Sequence, residues 1–329
     1  MQSHSLREKL RGGLAFMRSC LPRKRRPLVV GWAVTKRCNY RCRYCRVWEE
    51  DRELNTDQAL GLIDEIADAG TMVLGLTGGE PLVREDLGRL ISQATSRGLA
   101  VYLSSNGALV QERYSEIRDI RRLTISIEGP EDINDSIRGP GSFDRAISAV
   151  RFAKSRSIPV RLATTINSAN VHRIPEMLSL ATGLAVKVFI QPAIVSQLGS
   201  RKPNPLQPGR DDYHTTMSEL IRLRGRWSTS IIANSASGLR HLARWPDDKP
   251  VVCASGFLGC RIEPLGDVYH CARVQVRRPT QNALANGFAA AFQSLGPKRC
   301  TQCWCAQRTE LSMLRSLKPD VLLNTLLST

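Results

Sequence analysis

The segment KRCNYRCRYC, residues 36–45, carries three cysteines that lie four and then three positions apart: Cys38, Cys42 and Cys45. Three thiols therefore share one short loop, and the loop offers no fourth. A tetrahedral zinc site normally takes four protein ligands, whereas a 4Fe–4S cluster takes one ligand for each iron. Three cysteine ligands would leave one iron open to bind a small molecule, so the spacing favours such a cluster.

This C-x3-C-x2-C spacing, with the aromatic Tyr44 before the last cysteine, resembles the signature of the radical S-adenosylmethionine (SAM) enzymes. Further motifs of that family follow in order. TGGEP at 77–81 resembles the motif that binds the methionine amino group of SAM. SNG at 105–107, SIEG at 126–129 and RGP at 138–140 resemble its later motifs. The resemblance covers roughly residues 28–195.

The resemblance implies that Cys38, Cys42 and Cys45 hold a SAM-binding 4Fe–4S cluster. Glu80 would accept the amino group of SAM, and Arg138 suits its carboxylate because a guanidinium can bind a carboxylate bidentately. Each of these residues, taken alone, is more often found in a turn, inside a strand or as a solvated surface charge. Their order in the sequence after the cysteine loop is what supports the predicted roles. The expected SAM contacts are Tyr44, Gly78, Gly79, Glu80, Asn106, Ser126 and Arg138.

Apolar segments alternate with helical segments between residues 28 and 195, which is typical of a parallel α/β sheet. Strands are predicted at 28–34, 71–76, 99–104, 122–127, 159–165 and 185–190, and helices at 56–69, 85–97, 110–118, 142–155 and 170–181. The pattern leaves a doubly wound sheet and a partial barrel open. The resemblance implies the partial (β/α)6 TIM-like barrel. In either fold the loops after the strands carry the site, and each motif follows a predicted strand.

A second group of cysteines lies in the C-terminal part of the chain. Its spacing is Cys253-x17-Cys271, then Cys300-x2-Cys303, with a predicted hairpin at 261–269. This arrangement resembles the twitch domain, the shortened form of the SPASM extension of radical SAM enzymes. The resemblance implies that these four cysteines hold one auxiliary 4Fe–4S cluster. Zinc would fit a four-cysteine site equally well on bond geometry.

Cys260 and Cys305 are surplus in this single-cluster arrangement. Cys260 is interpreted as a small buried hydrophobe, with two alternatives. One of the surplus cysteines could donate a hydrogen atom to a substrate radical, as in radical SAM epimerases, or Cys260 could replace Cys253 as a ligand. Cys20 is interpreted as a packing residue.

The predicted domains are a basic N-terminal helix at 1–27, a radical SAM core at 28–212, and a linker helix with a twitch/SPASM-like domain at 213–329. The linker helix is predicted at 212–226. A closing amphipathic helix is predicted at 309–327.

The net charge is +17, and residues 1–46 hold thirteen Lys or Arg and one acid. A basic amphipathic helix can contact an anionic membrane surface or pack on the barrel. Nucleic-acid binding is electrostatically possible, but aromatic residues are only 5% of the chain and no RNA-binding module is recognisable. No transmembrane segment and no export signal is recognisable, so a cytoplasmic enzyme with metal-ligating cysteines is expected rather than a disulfide-bonded protein.

The predicted activity is reductive cleavage of SAM to a 5′-deoxyadenosyl radical that abstracts hydrogen from a substrate carbon. The product would be an oxidised (dehydrogenated) or epimerised natural-product small molecule, and the basic charge would suit an anionic substrate. The resemblance also implies an electron donor of the flavodoxin or ferredoxin type. One alternative is modification of a peptide or protein, as by maturases of ribosomal peptides and sulfatases. The alternative of another class is a non-catalytic, metal-stabilised protein that binds nucleic acid or a membrane surface.

Overall fold

The computed structural model describes residues 25–49, 51–193, 196–200, 202–226, 231–247, 251–271, 281–296, 299–300 and 303–328. Of the predicted basic helix, residues 1–24 lie outside the described residues, as does Cys20. Within the described ranges, no helix combines the length and the apolar character needed to cross a membrane.

Six parallel strands form the centre of the structure, in the order of the sequence. They are β1 (Val29–Thr35), β2 (Val73–Gly78), β3 (Ala100–Ser105), β4 (Arg122–Ser126), β5 (Val160–Ile166) and β6 (Lys187–Pro192). All six predicted strands are confirmed, with each end within two residues of its prediction. The predicted partial barrel is confirmed as well.

Helices connect these strands and cover the outer face of the sheet. They are Thr56–Asp68, Leu87–Ser96, Tyr114–Ile117, Glu131–Arg138, Ser142–Ser155 and Ile174–Gly183. The helix Glu131–Arg138 was not predicted, because its sequence EDINDSIR is mostly polar and buries only Asn134 and Ile137. The predicted helix at 110–118 is shorter than expected, and the one at 170–181 begins later, at Ile174 with Pro175 in its first turn.

The two faces of the central strands differ in chemistry. Val30, Trp32 and Val34 of β1 are fully buried in the apolar core. Leu62 and Ile66 of the helix Thr56–Asp68 belong to the same core. Alternate residues point to opposite faces of a strand, so the inner face of the barrel takes the intervening residues. On β3–β5 many of these are polar, which leaves hydrogen-bonding groups inside the barrel.

The C-terminal part adds β7 (Val251–Val252), β8 (Gly259–Ile262), β9 (Asp267–Tyr269), β10 (Gln281–Asn282) and β11 (Arg299–Cys300). The predicted hairpin is confirmed, since β8 and β9 pair antiparallel. Unexpectedly, β8 also pairs parallel with β1, so the sheet runs β10-β9-β8-β1-β2-β3-β4-β5-β6. A separate two-stranded sheet joins β7 to β11. The predicted domain boundaries stay predictions, but the hairpin belongs to the same sheet as the core.

The remaining helices are Arg210–Arg226, Ala236–Leu242, Ala283–Asn286, Phe288–Ser294, Ala306–Arg315 and Pro319–Ser328. The helix predicted at 212–226 is confirmed. The single closing helix predicted at 309–327 is wrong. Leu317 has a positive φ of 53° and Pro319 follows it, and both features interrupt helical hydrogen bonding. Two helices form instead.

Candidate active site

The cysteine loop follows the carboxyl end of β1 and is held by its own backbone and by neighbouring segments. Within the loop, the Cys45 amide donates to the Cys42 carbonyl at 3.0 Å. The Arg43 amide donates to the Ile137 carbonyl at 3.0 Å, and the Leu198 amide donates to the Tyr44 carbonyl at 3.1 Å. The end of the helix Glu131–Arg138 and the segment after β6 thus fix the loop over the barrel mouth.

Burial raises the pKa of each thiol in this loop, to about 11 for Cys38. The Tyr40 amide opposes the shift at Cys38, while nearby charges on Glu80, Cys42 and Cys45 add to it. At Cys42 the charge of Arg138 opposes it. A bound metal cluster would supply the positive charge that stabilises all three as thiolates.

The two glycines of the TGGEP segment bring the end of β2 against this loop. A Cβ on Gly78 would lie 2.0 Å from the Thr35 carbonyl oxygen, and the residue has a φ of +140°. A Cβ on Gly79 would lie 2.2 Å from the Arg37 carbonyl oxygen. Only glycine fits at either position. The pair therefore sets how closely Glu80 approaches the cysteine loop.

Glu80 is buried and connects the ends of β2 and β3. Its carboxylate accepts hydrogen bonds from the Asn106 amide at 2.6 Å and the Leu82 amide at 3.1 Å. The Asn106 side chain in turn donates to Asn39 Oδ1 at 2.7 Å, within the cysteine loop. Burial raises the pKa of Glu80 to about 7, against the two amides, which lower it. The predicted residues Glu80 and Asn106 therefore meet beside the cysteines.

Tyr44, Arg138 and Glu128 form a buried network on the other side of the loop. The Tyr44 hydroxyl donates to Glu128 Oε1 at 2.7 Å, and Arg138 Nη2 donates to the Tyr44 oxygen at 2.7 Å. Arg138 also forms an ion pair with Glu128. Sequence reasoning quoted Glu128 within a motif but missed it as a site residue. The sequence did carry a signal for Glu128, because this carboxylate lies just past the end of β4, where the site residues of such a sheet are expected. The Tyr44 phenol and Arg138 are engaged with Glu128, and contacts to SAM stay a prediction for both.

A polar cavity of about 170 Å³ opens inside the barrel. Ser126, predicted to contact SAM, lines it near the mouth. The lining residues are Ser104, Thr124, Ser126, Arg161, Ala163, Thr164, Thr165, Phe189, Gln191 and Gln307. Gln191 closes one side by donating to the Trp304 carbonyl at 2.6 Å and accepting from the Ala306 amide at 2.7 Å. The C-terminal cysteine segment is thereby attached to the end of β6.

The second cysteine group is assembled from separate parts of the chain. The pairing of β7 with β11 places Val251 opposite Cys300, so Cys253 follows two residues beyond that pair. The side chain of Cys300 lies outside the described residues. Burial raises the pKa of Cys303 to about 12, and charges on Cys305, Cys253 and Cys271 raise it further. These four thiols are therefore close enough to interact, and the predicted surplus residue Cys305 is among them.

Cys260 lies elsewhere. It is fully buried in the apolar core, and its β8 position is in register with Val30 of β1, which belongs to the same core. Its pKa is raised to about 12 by burial. This position favours the packing interpretation over the hydrogen-donor and ligand alternatives, which stay predictions.

The cysteine loop fits the cofactors that its sequence predicts. Among the described residues, no three His, Cys, Asp or Glu side chains converge as ligands of a single metal ion. A 4Fe–4S cluster instead takes its cysteines on different irons, and three mutually interacting thiols supply that donor set. The glycine pair lets the end of β2 pack directly against the loop, and Glu80 and Arg138 offer opposite charges for the amino and carboxylate groups of an amino acid.

The radical SAM superfamily profile matches residues 32–181. The AdoMet-dependent heme synthase of Nitratidesulfovibrio vulgaris is 32% identical over 161 residues, 46% of this chain and 44% of that protein. The mycofactocin maturase MftC of Mycobacterium tuberculosis is 29% identical over 262 residues, 74% of this chain and 64% of the maturase. The chain therefore matches less than two thirds of the length of either relative.

Two solved structures share the fold. SuiB of Streptococcus suis, bound to S-adenosylmethionine, has a TM-score of 0.69 at 14% identity, covering 86% of this chain and 69% of SuiB. The protein anSMEcpe with bound AdoMet has a TM-score of 0.67 at 15% identity, covering 81% of this chain and 77% of anSMEcpe. The predicted radical SAM domain, its fold class and its cofactor pair of 4Fe–4S cluster and SAM are confirmed. The auxiliary cluster and the substrate are left as proposals.

Proposed function

We propose that this radical SAM enzyme, whose radical SAM domain spans residues 32–181, modifies a carbon of a small organic molecule bound in the barrel cavity. When bound, the cluster and SAM would supply a 5′-deoxyadenosyl radical able to abstract hydrogen from an unactivated carbon. Cys38, Cys42 and Cys45 would hold the cluster. The product would be an oxidised or epimerised substrate.

The observation that carries this proposal is the residue shared by the polar cavity and the predicted SAM contacts. Ser126 belongs to both, because it ends β4 at the barrel mouth and lines the cavity. A substrate in the cavity would lie next to SAM. A substrate that fills the cavity would also keep water away from a reactive species.

Each site residue has a separate task in this arrangement. Glu80 would bind the methionine amino group of SAM, because its carboxylate is already oriented by two backbone amides. Arg138 would favour the methionine carboxylate while Glu128 keeps its guanidinium in place. Asn106 and Tyr44 would position the nucleoside part of SAM. The hydrogen bond from Asn106 to the cysteine loop keeps the Asn106 side chain next to that loop.

The auxiliary 4Fe–4S cluster would be held by Cys253, Cys271, Cys300 and Cys303. Support comes from the interaction of the described thiols of this set and from the β7–β11 pairing, which brings the Cys300 backbone near Cys253. Gln191 attaches this segment to β6 at the cavity. A cluster there could accept an electron from a substrate, which would favour oxidation.

A peptide substrate is the second candidate function. It is favoured by the match to the mycofactocin maturase, which extends over 74% of this chain and therefore beyond the radical SAM domain. A cavity of about 170 Å³ would then admit one side chain or one end of the peptide. The remainder would lie across the barrel mouth.

Anaerobic reconstitution followed by SAM and a strong reductant tests the proposal, with 5′-deoxyadenosine as the readout. Glu80→Gln should lower SAM affinity at least tenfold at normal iron content, because the amino group loses a charged partner. Glu176→Gln, at an exposed ion pair with Arg173, is the matched control and should bind SAM normally. Absence of 5′-deoxyadenosine from iron-loaded wild type would favour the non-catalytic binding protein instead.

A further inference from the structure

We propose that Arg122 and Arg161 form an oxyanion site at the base of the barrel cavity, where they bind a carboxylate or phosphate group of a small substrate. The inference rests on the proposed function, since it concerns the same cavity. It adds the chemical class of the substrate.

Both arginines lie on the inner face of the barrel, near the start of their strands. Arg122 begins β4 and is in register with Tyr102, over whose ring its guanidinium lies at 4.5 Å. Arg161 lies second in β5, in register with Thr124, and its guanidinium lies 4.4 Å from the Phe189 ring centroid. Each aromatic ring contacts the flat face of one guanidinium and so orients it. The N–H groups at the edge of each guanidinium stay free for hydrogen bonds.

Neither guanidinium has a partner among the described residues. The Nε atoms of Arg122 and Arg161 are buried without a hydrogen-bond acceptor, and no described carboxylate forms an ion pair with either. Glu310 is the acid whose charge acts on Arg161, but its carboxylate accepts the Ser235 amide at 2.8 Å. A half-buried guanidinium whose Nε is shielded from water and has no acceptor is costly, so these two call for an anion.

The two cations also repel each other. Burial lowers the pKa of Arg161 to about 9, and the charge of Arg122 lowers it further. Burial likewise lowers the pKa of Arg122. An oxyanion between them would offset both the desolvation and the repulsion, and the fork of an arginine matches carboxylate and phosphate geometry.

Arg84, the one fully buried arginine of the described residues, is fully paired, which makes the contrast informative. Arg84 donates to Asp86 at 2.6 Å and to the carbonyls of Val34 and Leu54 at 2.8 and 2.9 Å. An arginine that is buried for a structural role is therefore given hydrogen-bond acceptors by the fold. Arg161, which lines the cavity, and its neighbour Arg122 lack such acceptors at the place where a ligand would supply them.

The position fits a substrate held at one end and modified at the other. Arg161 and Thr165 both line the cavity and lie four residues apart on β5, a rise of roughly 13 Å toward the barrel mouth. An oxyanion bound at the base would leave the rest of the molecule pointing toward Ser126 and SAM.

Thermal unfolding of the cluster-loaded protein, with inorganic phosphate or acetate added at constant ionic strength, tests the site. Wild type should show a saturable rise in Tm with at least one of the two anions, and which one acts separates phosphate from carboxylate. Arg161→Met and Arg122→Met should lose at least tenfold in apparent affinity. Arg118→Met, at an exposed arginine, should respond as wild type does.

The anion-free protein gives a second readout. Arg161→Met should raise Tm by roughly 2–4 °C, because it removes a half-buried cation whose Nε has no acceptor. Arg161→Lys keeps the charge and should keep part of the anion response, which guards against a misfolded Met variant. A lower Tm for Arg161→Met would mean that the arginine stabilises the barrel by stacking, and the proposal would be wrong.

Two further outcomes would overturn the site: no saturable response in wild type, or equal responses in wild type and Arg161→Met. The latter would mean adventitious binding to surface cations only. Formation of 5′-deoxyadenosine by wild type is measured separately. If it fails while the anion response holds, the proposed function fails and the anion site stands. If it holds while the anion response fails, only the anion site is wrong.

Discussion

The two cysteine groups of this chain are built in opposite ways. Cys38, Cys42 and Cys45 share one loop after one strand, so sequence spacing alone brings their thiols together. The C-terminal group is gathered from the ends of β7 and β9 and from the segment at 300–305. Its geometry depends on the two-stranded β7–β11 sheet and on contacts with β6. A local site survives small changes elsewhere, whereas an assembled one depends on the fold.

The largest expected effect comes from removing the local group. Cys38→Ala, Cys42→Ala and Cys45→Ala together should abolish 5′-deoxyadenosine formation and lower the iron content from about eight to about four per chain, since each 4Fe–4S cluster holds four irons. Iron and sulfide analysis after anaerobic reconstitution measures this. Cys20→Ala is the control and should keep all the iron. Loss of all iron in the triple variant would show that the second group does not load independently.

The variants Cys303→Ser and Cys305→Ser test which cysteines of the C-terminal group are cluster ligands. If Cys253, Cys271, Cys300 and Cys303 are the ligands, Cys303→Ser should cost about four irons and Cys305→Ser none. Both thiols interact in the structure, so the pair is a matched comparison at nearly the same place. Iron loss in Cys305→Ser alone would make Cys305 the ligand. Bound zinc in place of iron would remove the auxiliary-cluster proposal.

The strands and the cysteine loop could be predicted because their signals are local. Apolar segments mark β1–β6, and the cysteine loop and the TGGEP, SNG and SIEG motifs lie at the carboxyl ends of β1–β4, whereas RGP lies at the end of the helix Glu131–Arg138. The helix Glu131–Arg138 escaped because its packing depends on Ile137 and on the polar Asn134, which accepts the Glu128 amide and donates to Ser142. Glu128 was overlooked for a related reason. Its role arises from partners at Tyr44 and Arg138, far away in sequence.

Long-range assembly explains the other differences. The pairing of β8 with β1 joins Gly259 to Val29 across most of the chain, and no local pattern encodes it. That Arg122 and Arg161 lack hydrogen-bond and ion-pair partners among the described residues could not be predicted from the sequence either. Each arginine stands in a strand whose apolar pattern is otherwise ordinary, and only the barrel brings Arg122 close to Arg161, which lines the cavity. Sequence therefore gives the elements and the local ligands, and the fold gives the shape of the cavity.

A single methyl group tests how tightly the barrel mouth supports the local site. Gly79→Ala places a Cβ 2.2 Å from the Arg37 carbonyl oxygen and 2.5 Å from that of Lys36. The cysteine loop must then shift, so SAM affinity should fall by tenfold or more. Gly61→Ala, in the helix Thr56–Asp68 with no atom within 4 Å of the added Cβ, is the control and should stabilise the protein by up to about 1 kcal/mol. Equal SAM affinities in the two variants would contradict the close packing described here.

The smallest expected effect is that of Cys260→Ala. Cys260 belongs to neither of the two cysteine groups. Its thiol lies in the apolar core beside Val30 rather than in the cavity, so the change should remove only packing, at a cost of roughly 1 kcal/mol. Iron content and substrate turnover should be unchanged, and a thermal unfolding curve should show the small loss of stability. Lower iron would identify a ligand. Normal iron with continued hydrogen abstraction but no hydrogen return to the substrate would identify a hydrogen donor, and the core position would then have to open during turnover. Because β8 is the strand that attaches the C-terminal part to β1, unchanged turnover in this variant would also show that their shared core tolerates a small cavity without disturbing either cysteine group.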